Sequence, residues 1–550
     1  MKSISFLQYS VAPLIGSATC LALLLTGCQS FEELNTNRQG VTIEMGARDG
    51  VSLGGQIQAM MTSVVPVGNA AANKTDIANE YQVAYHLGPD AWSGYFGETG
   101  GEWWNKGSNF TTFFALPGWT SQPFKTSYTR IFTPWLTIKN SPIAKQHPEV
   151  FALAQILKVA TWHKATDYVG PIPYTQAGQG AFNPPYDAQD VVYKAMLKDL
   201  DESAQVLTAF AKQGGKLFPE YDIIYQGDTY KWVKYANSLM LRLAMRTVYV
   251  DEALAKEYAE KAVNGEIGVM TAKEDQAAVN PSVLGLTFEN NIEVLVNQYG
   301  EARMGVPMYS YLVGLKDPRL MTYYKPAEAE NALYVDFARG KYLPMATGWD
   351  GANQATTKLT SLPNIEKSTP TYWLRTSEVL FLRAEGALRG WNMRGDAGSL
   401  YTQGVEMSFD ENGIPISAVT AYLNSGAEPV AVNVGNPINH NFEMKSKTNA
   451  RWEGSQEQKL EKIITQKWIA LFPNGMEAWT EWRRTGYPYI ADPVYNRSGG
   501  VVGNDTKVRR MVYPISNGRS AEDQAVYEKA VSLLGGSDSF STKLWWDQKK

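Results

Sequence analysis

The stretch PEVFALAQILKVATWH, residues 148–163, places its apolar side chains three and four positions apart, which is the spacing of one face of an α-helix. Pro148 stands in the first turn, where its missing N–H costs nothing. Residues 187–210, 228–249 and 252–264 repeat this pattern. Successive helices of this kind predict that packed helix pairs form the frame of the fold.

Further segments with helical periodicity lie on both sides of this central part of the chain. They are residues 54–65, 372–389, 398–412, 417–424, 456–470, 477–484 and 521–534. Residues 291–298 (NIEVLVNQ) alternate in polarity and predict a strand. No period of about 34 residues is kept. The predicted fold class is mostly α: an irregular tetratricopeptide-like helical scaffold with long ligand-binding loops and a few short strands.

The N-terminal region ends in a Leu-Thr-Gly-Cys motif at Cys28, after a basic start and an apolar run, as in a bacterial lipoprotein signal peptide. Residues 1–27 would then be removed, Cys28 would carry lipid, and residues 28–40 would tether a domain of residues 41–550. An ordinary signal peptide that ends near a cysteine is the alternative. The cysteine count favours lipidation, because the chain has 2 Cys and the other, Cys20, leaves with the signal.

Charge and residue counts exclude several classes of partner and site. The 51 Lys and Arg against 55 Asp and Glu give a net charge of −4, which offers no electrostatic attraction to nucleic acid. With both cysteines assigned to signal and anchor, cysteine-ligated zinc and iron–sulfur clusters are excluded from the folded domain. The 4 His show no metal-ligand spacing. We therefore predict no cofactor and no metal.

Aromatic residues are abundant, with 16 Trp, 30 Tyr and 19 Phe, and many of them fall among glycines in residues 85–135. That glycine density predicts loops instead of helices. Exposed aromatic rings can cover the flat C–H faces of sugars while neighbouring polar side chains bond the hydroxyls. Candidate ligand contacts in this region are Asp90, Tyr95, Trp103, Trp104 and Asn105. The alternative is core packing, which the tight stretch AWSGY favours for Trp92 and Tyr95.

Further candidate ligand contacts lie later in the chain. Trp349 and Asp350 fall in a polar, glycine-containing loop, where a Trp forms either a platform for ligand or a cover over the scaffold. Arg375 opens an otherwise apolar helix. An arginine there favours a local ion pair with a nearby glutamate such as Glu378. The alternative is a donor fork that faces a ligand cavity, which Tyr401 would join.

Several stretches, in order along the chain, resemble one family. DYVGPIPY at residues 167–174 is similar to the TDxYGxxPY turn of SusD/RagB-like outer-membrane lipoproteins. Further matches are Tyr186-Asp187, KDLD at 198–201, KWVKYANSLMLRLAMR at 231–246, KDPR at 316–319, EVLFLRAEGALRGW at 378–391, ITQKWIALFPNGMEAWTEWRRTGYP at 464–488, RRMVYP at 509–514 and LWWD at 544–547. By their physical pattern these stretches are mainly scaffold, because they place apolar and small side chains at helical spacing.

The resemblance implies a tetratricopeptide-like scaffold and a protein held in the outer membrane by its lipid, facing the extracellular side. It also implies a role, the capture of oligomeric nutrients as a lid over a SusC-like TonB-dependent transporter. A peptide-binding RagB-like lid of the same architecture is the alternative to an oligosaccharide-binding one. Abundant tryptophan favours glycan, and the WLR stretch at 373–375 is similar to members associated with fructan use.

An enzymatic function is the less favoured alternative. GVSLG at residues 50–54 matches the nucleophile elbow, but the segment before it is not the apolar strand that such an elbow follows. Glu98 and Glu102 are the one suggestive carboxylate pair for a surface glycoside hydrolase, yet a glycine-rich loop lacks the desolvated setting that raises a carboxyl pKa. The sequence therefore predicts binding without catalytic residues.

Overall fold

Helices dominate the part of the chain that the structure describes, which confirms the predicted fold class. The computed structural model describes residues 51–68, 74–97, 110–114, 117–327, 342–349, 360–435, 438–514 and 519–549. Residues 54–550 make one compact unit and residues 1–53 another, of which the structure describes 51–53.

The α-helices of the described residues are numbered in chain order. They are α1 (Val51–Val64), α2 (Lys74–Tyr81), α3 (Gln122–Phe124), α4 (Arg130–Asn140), α5 (Pro142–Gln146), α6 (Pro148–Val169), α7 (Gln189–Lys212), α8 (Thr229–Arg246), α9 (Glu252–Asn264), α10 (Asn291–Asn297), α11 (Val306–Gly314), α12 (Leu320–Tyr323), α13 (Thr376–Leu388), α14 (Ala397–Glu411), α15 (Ser417–Leu423), α16 (Gln456–Ala470), α17 (Gly475–Thr485) and α18 (Ala521–Ser532). π-Helices cover Gln82–Asp90 and Lys125–Thr129, and 3-10 turns cover Phe110–Thr112, Pro117–Trp119 and Lys273–Asp275.

The strands are short and pair in antiparallel twos. They are β1 (Phe96–Gly97), β2 (Ala277–Val279), β3 (Ser282–Val283), β4 (Leu286–Thr287), β5 (Arg303–Met304), β6 (Thr371–Leu374), β7 (Val432–Val434) and β8 (His440–Phe442). The pairs are β1 with β5, β2 with β6, β3 with β4, and β7 with β8. Strand β6 is in register with β2 through Thr371 opposite Val279 and Leu374 opposite Ala277.

The central helices pack in sequence, α6 on α7, α7 on α8 and α8 on α9. Helix α6 is buried on nearly its whole circumference, as its apolar and small residues require. In a second group of helices, α13 packs on both α14 and α16. Helix α17 packs on the π-helix Gln82–Asp90. The result is the tetratricopeptide-like scaffold that the helical periodicity predicts.

Two predicted elements differ in the structure. Residues 291–297 form helix α10 instead of a strand, because the Asn290 side chain caps it by accepting the Ile292 N–H at 3.0 Å. The predicted helix at 372–389 divides into β6 and α13, because β2 pairs with residues 371–374 and Arg375 keeps an extended backbone. Tertiary pairing overrides local periodicity in such short segments.

The prediction of loops across residues 85–135 is wrong at both ends. The π-helix runs to Asp90 through Gly88 and Pro89, and residues 122–140 are helical throughout. At Gly88 a Cβ atom would lie 3.1 Å from the Trp92 ring, so this glycine serves close packing and not a turn.

The stretches that carry the family resemblance meet in the core. Asp167 accepts hydrogen bonds from Tyr193 Oη at 2.5 Å and from Trp546 Nε1 at 2.9 Å. Arg483 donates to the Asp167 backbone carbonyl at 2.7 Å. Three of the motif stretches, at 167–174, 464–488 and 544–547, thereby meet at the buried Asp167, as expected of motifs that are mainly scaffold.

Candidate functional site

A cavity of about 50 Å³ that opens partly to solvent lies between the π-helix, the start of α10 and strand β6. It brings together two of the predicted site residues, Asp90 and Arg375. The remaining lining residues are Val65, Tyr81, Tyr85, Lys164, Asn290, Asn291, Ile292, Pro370, Thr371, Tyr372, Trp373, Leu374, Glu378, Leu471, Pro473 and Asn474. The mixture of rings and polar ends is typical of a small-molecule site.

One wall comes from α2 and the π-helix. Tyr81 and Tyr85 stack on each other with their ring centroids 5.2 Å apart. Tyr81 Oη donates to Asp90 Oδ2 at 3.1 Å, and burial raises the pKa of Asp90 against the opposing effects of His86 and Tyr81. The hydroxyl of Tyr85 is buried and has no hydrogen-bond partner among the described residues. π-Helices are uncommon and often lie at functional sites.

The opposite wall comes from β6 and the start of α13. The guanidinium of Arg375 lies 3.9 Å from the ring centroid of Tyr372. The favoured expectation of an ion pair with Glu378 is wrong, because Glu378 accepts instead from Nε and Nη2 of Arg242, at 2.7 and 2.6 Å. Arg375 therefore takes the alternative position, beside a cavity.

Lys164, from α6, also lines the cavity. It donates to the backbone carbonyl of Val64, and its Nζ lies 5.6 Å from the ring centroid of Tyr85. Burial, followed by the neighbouring charge of Arg242, lowers the pKa of Lys164 to about 7. A lysine inside an apolar helical run was the one signal in the sequence that pointed to this residue. No sequence pattern around Tyr81, Tyr85 or Asn290 indicated that these residues line a cavity.

Other predicted contacts lie elsewhere in the fold. Tyr95 is fully buried and donates from its hydroxyl to the backbone carbonyl of Trp468. Tyr401 is also fully buried and donates to the carbonyl of Ala450 at 2.8 Å. The expected packing of Trp92 and Tyr95 is confirmed, since Trp92 too is buried and donates to the Phe110 carbonyl at 2.8 Å.

Trp349 is half-buried and packs against an apolar cluster away from the cavity. That cluster consists of Val306, Ala327, Leu343, Ala346, Val432, Val434, Ile438 and Phe442. This position corresponds to a cover over the scaffold, one of the two roles expected for this tryptophan. Predicted residues Cys28, Trp103, Trp104, Asn105 and Asp350 lie outside the described residues.

Membrane-crossing helices and clustered metal ligands are both missing from the residues that the structure describes. None of the helices there combines the length and the apolar character that a bilayer crossing requires. In the same part of the chain, no three His, Cys, Asp or Glu side chains are grouped as metal ligands.

Comparison with known proteins places the chain in a family. Residues 33–547 match the family model for SusD and RagB outer membrane lipoproteins. Solved structures of similar proteins include a SusD homologue from Bacteroides vulgatus, with 30% identity over 92% of this chain and 99% of that one and a TM-score of 0.81. A SusD homologue from Bacteroides ovatus has 32% identity, 91% and 100% coverage, and a TM-score of 0.80.

A third similar structure is a chitin-binding SusD homologue from Flavobacterium johnsoniae, with 32% identity, coverage of 90% of this chain and 99% of that one, and a TM-score of 0.79. None of the curated proteins compared with the chain matches it in sequence. The family model spans nearly the whole chain, and the helical scaffold agrees with that assignment. The chain therefore belongs to the SusD/RagB family of outer membrane lipoproteins.

Proposed function

We propose that this protein captures oligosaccharides at the cell surface and delivers them, as a lid, to a SusC-like TonB-dependent transporter, with Cys28 as its lipid anchor. The observation that carries the ligand class is the cavity, which is lined by Tyr81, Tyr85, Tyr372 and Arg375. Rings cover the C–H faces of a sugar and the polar ends exchange hydrogen bonds with its hydroxyls. The chitin-binding relative supports a polysaccharide as the source of the ligand.

Binding without hydrolysis fits the two carboxyl groups that line the cavity. Glu378 is held by two hydrogen bonds from Arg242, and Asp90 by Tyr81. A glycoside hydrolase needs one carboxyl group free to protonate the leaving oxygen and a second to attack or to activate water. Here neither group stands free on the cavity wall.

A peptide ligand is the second candidate, and strand β6 is the feature that bears on it. An extended peptide binds by adding to an unpaired strand edge. β6 pairs with β2 on one side, and the Trp373 carbonyl already accepts from Arg242 Nη2 at 3.2 Å. This leaves less free edge than a bound peptide strand requires, so the cavity favours sugar.

Calorimetry with purified protein tests the proposal. The panel contains fructan, chitin and other plant and host oligosaccharides, with mixed peptides as the comparison, and the neighbouring genes guide the choice of polymer. We expect a dissociation constant of about 1 μM to 1 mM for one oligosaccharide class, because stacking and exchanged hydrogen bonds give a modest net free energy. Fructan is the first polymer to test. Binding of peptides alone, or release of sugar products, would contradict the proposal.

The transporter partnership needs its own experiment. The protein is co-expressed with a SusC-like transporter from the same organism, and the membrane complex is purified through a tag on the transporter. We expect the two chains to co-purify and uptake of the bound oligosaccharide to require both. Uptake that is unchanged when this protein is deleted would contradict the proposed role as a lid.

A further inference from the structure

We propose that the cavity holds an acidic group of its sugar ligand, a carboxylate or a sulfate, between Arg375, Lys164 and the hydroxyl of Tyr85. This inference rests on the proposed function, in which the same cavity is the saccharide site. It adds the chemical class of the ligand, an oligosaccharide that carries negative charge.

Arg375 gives the first reason. Its side chain is 9% exposed, and its Nε atom is buried without a hydrogen-bond partner among the described residues. The one hydrogen bond recorded for its guanidinium runs from Nη1 to Asn412 Oδ1, at a long 3.4 Å. Within the described part of the chain no carboxylate lies within 4.0 Å of it. A buried cation with unused donors is costly unless an anion accompanies it.

Two other buried arginines bind a carboxylate, whereas Arg383 and Arg483 donate to backbone carbonyls. Arg242 has Glu378, and Arg319 donates to Asp317 from Nε at 2.9 Å and from Nη2 at 2.6 Å. The guanidinium of Arg375 instead contacts the ring of Tyr372, and its Nε–H has no acceptor among the described residues. A planar guanidinium edge matches the two oxygens of a carboxylate or a sulfate.

Lys164 gives the second reason. Its amine is nearly buried and has a single hydrogen bond among the described residues, to the Val64 carbonyl. The charged groups that act on it are Arg242 and Glu477. The neighbouring His163 has a pKa that burial holds well below its usual value, so it adds no charge. The ring of Tyr85 lies beside the amine, with its own hydroxyl unpaired.

Glu411 and Glu477 attract these two cations electrostatically, but among the described residues no carboxylate forms a hydrogen bond with either of them. Glu378 is bound to Arg242 and Asp90 accepts from Tyr81. Glu411 approaches Arg375 from α14, but its two oxygens accept from the backbone N–H and the hydroxyl of Ser377, at 3.0 and 2.5 Å. The cavity therefore offers cationic and hydroxyl donors and presents few free acceptors. A neutral sugar would leave these donors only partly used, whereas an acidic group would accept from several of them.

Calorimetry on matched ligands tests the inference. The probes are an oligogalacturonate with its carboxyl-reduced form, a chondroitin sulfate oligosaccharide with its desulfated form, and inorganic sulfate. We expect one acidic member to bind about 10- to 100-fold more tightly than its neutral form, the range for a charged hydrogen-bonded contact. Arg375→Met should abolish that difference, and Arg451→Met, an exposed arginine outside the cavity, should preserve it.

A second readout separates ligand contact from a structural role. At pH 8 the Lys164 amine is mostly neutral, because its pKa lies near 7. An anion bound beside it raises that pKa, so the protein takes up a proton on binding, which calorimetry in two buffers of different ionisation enthalpy measures. Lys164→Met should lose the proton uptake while its melting curve still shows a folded protein.

Each other outcome overturns the inference. Equal affinity for acidic and neutral forms, or an unchanged preference of Arg375→Met for the acidic form, would show that the cavity does not discriminate between ligands by charge. Binding of inorganic sulfate without binding of any acidic oligosaccharide would identify a site for a free anion and would contradict a sugar as the carrier of the acidic group. Binding of fructan without any acidic ligand overturns this inference and keeps the proposed function, whereas failure of every saccharide contradicts both.

Discussion

Arg246 Nη2 lies 2.8 and 2.9 Å from the two carboxylate oxygens of Glu477, and neither side chain is accessible to solvent beyond 5%. The Nη1 atom of the same guanidinium donates to Glu481 at 2.9 Å. This contact ties α8, the third helix of the central layer, to α17 near the C-terminus. A buried group of charges thus connects the tetratricopeptide-like helices to the segment that supports the cavity.

Removing this arginine should destabilise the fold. In Arg246→Met the carboxylates of Glu477 and Glu481 lose a buried partner, and breaking such a pair costs about 3–5 kcal/mol. Urea denaturation measures the free energy of unfolding. Lys198→Met is the control, because Lys198 forms a 3.7 Å pair with Glu202 that is largely exposed on both sides. We expect the control to change by less than about 1 kcal/mol, and equal effects in the two variants would contradict the explanation.

Glu385 should make stability depend on acid pH. It accepts from Nη1 and Nη2 of Arg484, at 2.8 and 2.6 Å. Burial raises the pKa of Glu385, but Arg484 and Arg389 outweigh burial and lower it to about 2. The unfolded value is about 4.3. Because the folded pKa is the lower one, the stabilisation is complete above about pH 5 and is lost as the pH falls towards 2.

Melting temperatures between pH 6 and pH 3 check this expectation. The melting temperature of Glu385→Gln should be lower at pH 6 and should fall less steeply with acid than that of the natural protein. The variant lacks the carboxyl group whose protonation is linked to unfolding. Parallel curves for the two proteins would show that another group governs acid unfolding.

Gly475 supports the π-helix by close approach. A Cβ atom at this position would lie 2.4 Å from the Cα of Asp90, which is backbone and cannot simply rotate away. Gly475→Ala should therefore lose about 1–3 kcal/mol of stability and weaken ligand binding at the cavity, since Asp90 must move. Gly55→Ala is the matched control. No atom lies within 4 Å of its Cβ, so we expect no loss, or a gain of about 0.5–1 kcal/mol from helix propensity.

Trp103 and Trp104 remain predicted ligand contacts. If either ring is a platform, truncation to Ala should weaken oligosaccharide binding by about 1–3 kcal/mol and barely change the melting temperature. A core tryptophan behaves oppositely and loses about 3–5 kcal/mol of stability. Trp468→Ala is the comparison for core behaviour, because Trp468 is 1% exposed. Measuring affinity and melting temperature on each variant separates the two roles.

Cys28 should determine attachment to the membrane. Cys28→Ala removes the one lipid anchor that the sequence predicts, so the folded protein should move from the membrane to the soluble fraction. Fractionation is carried out in cells that lack the SusC-like transporter, because binding to that partner would retain the variant. Persistent membrane association in those cells would contradict the predicted anchor.

The sequence predicted most of the scaffold, because helices with one apolar face leave a periodic signal within a single segment. Residues 456–470 and 252–264 form helices with the predicted bounds. It failed at residues 291–298 and 372–375, where segments of a few residues take the conformation that their partners impose. The small and apolar residues of the family motifs predicted that these motifs are scaffold. The ionic contacts among the motifs could not be predicted from the sequence.

The candidate site was only partly predictable. By itself the sequence determined the helical frame, the family and the unusual arginine at the start of an apolar helix. Only the tertiary structure decided that Glu378 binds Arg242, 136 residues away in the chain, and that Arg375 lines the same cavity as Lys164 and Tyr85. Helical periodicity is a local property of the chain, whereas the partner of a buried charge depends on which distant segments the folded core brings within hydrogen-bonding distance.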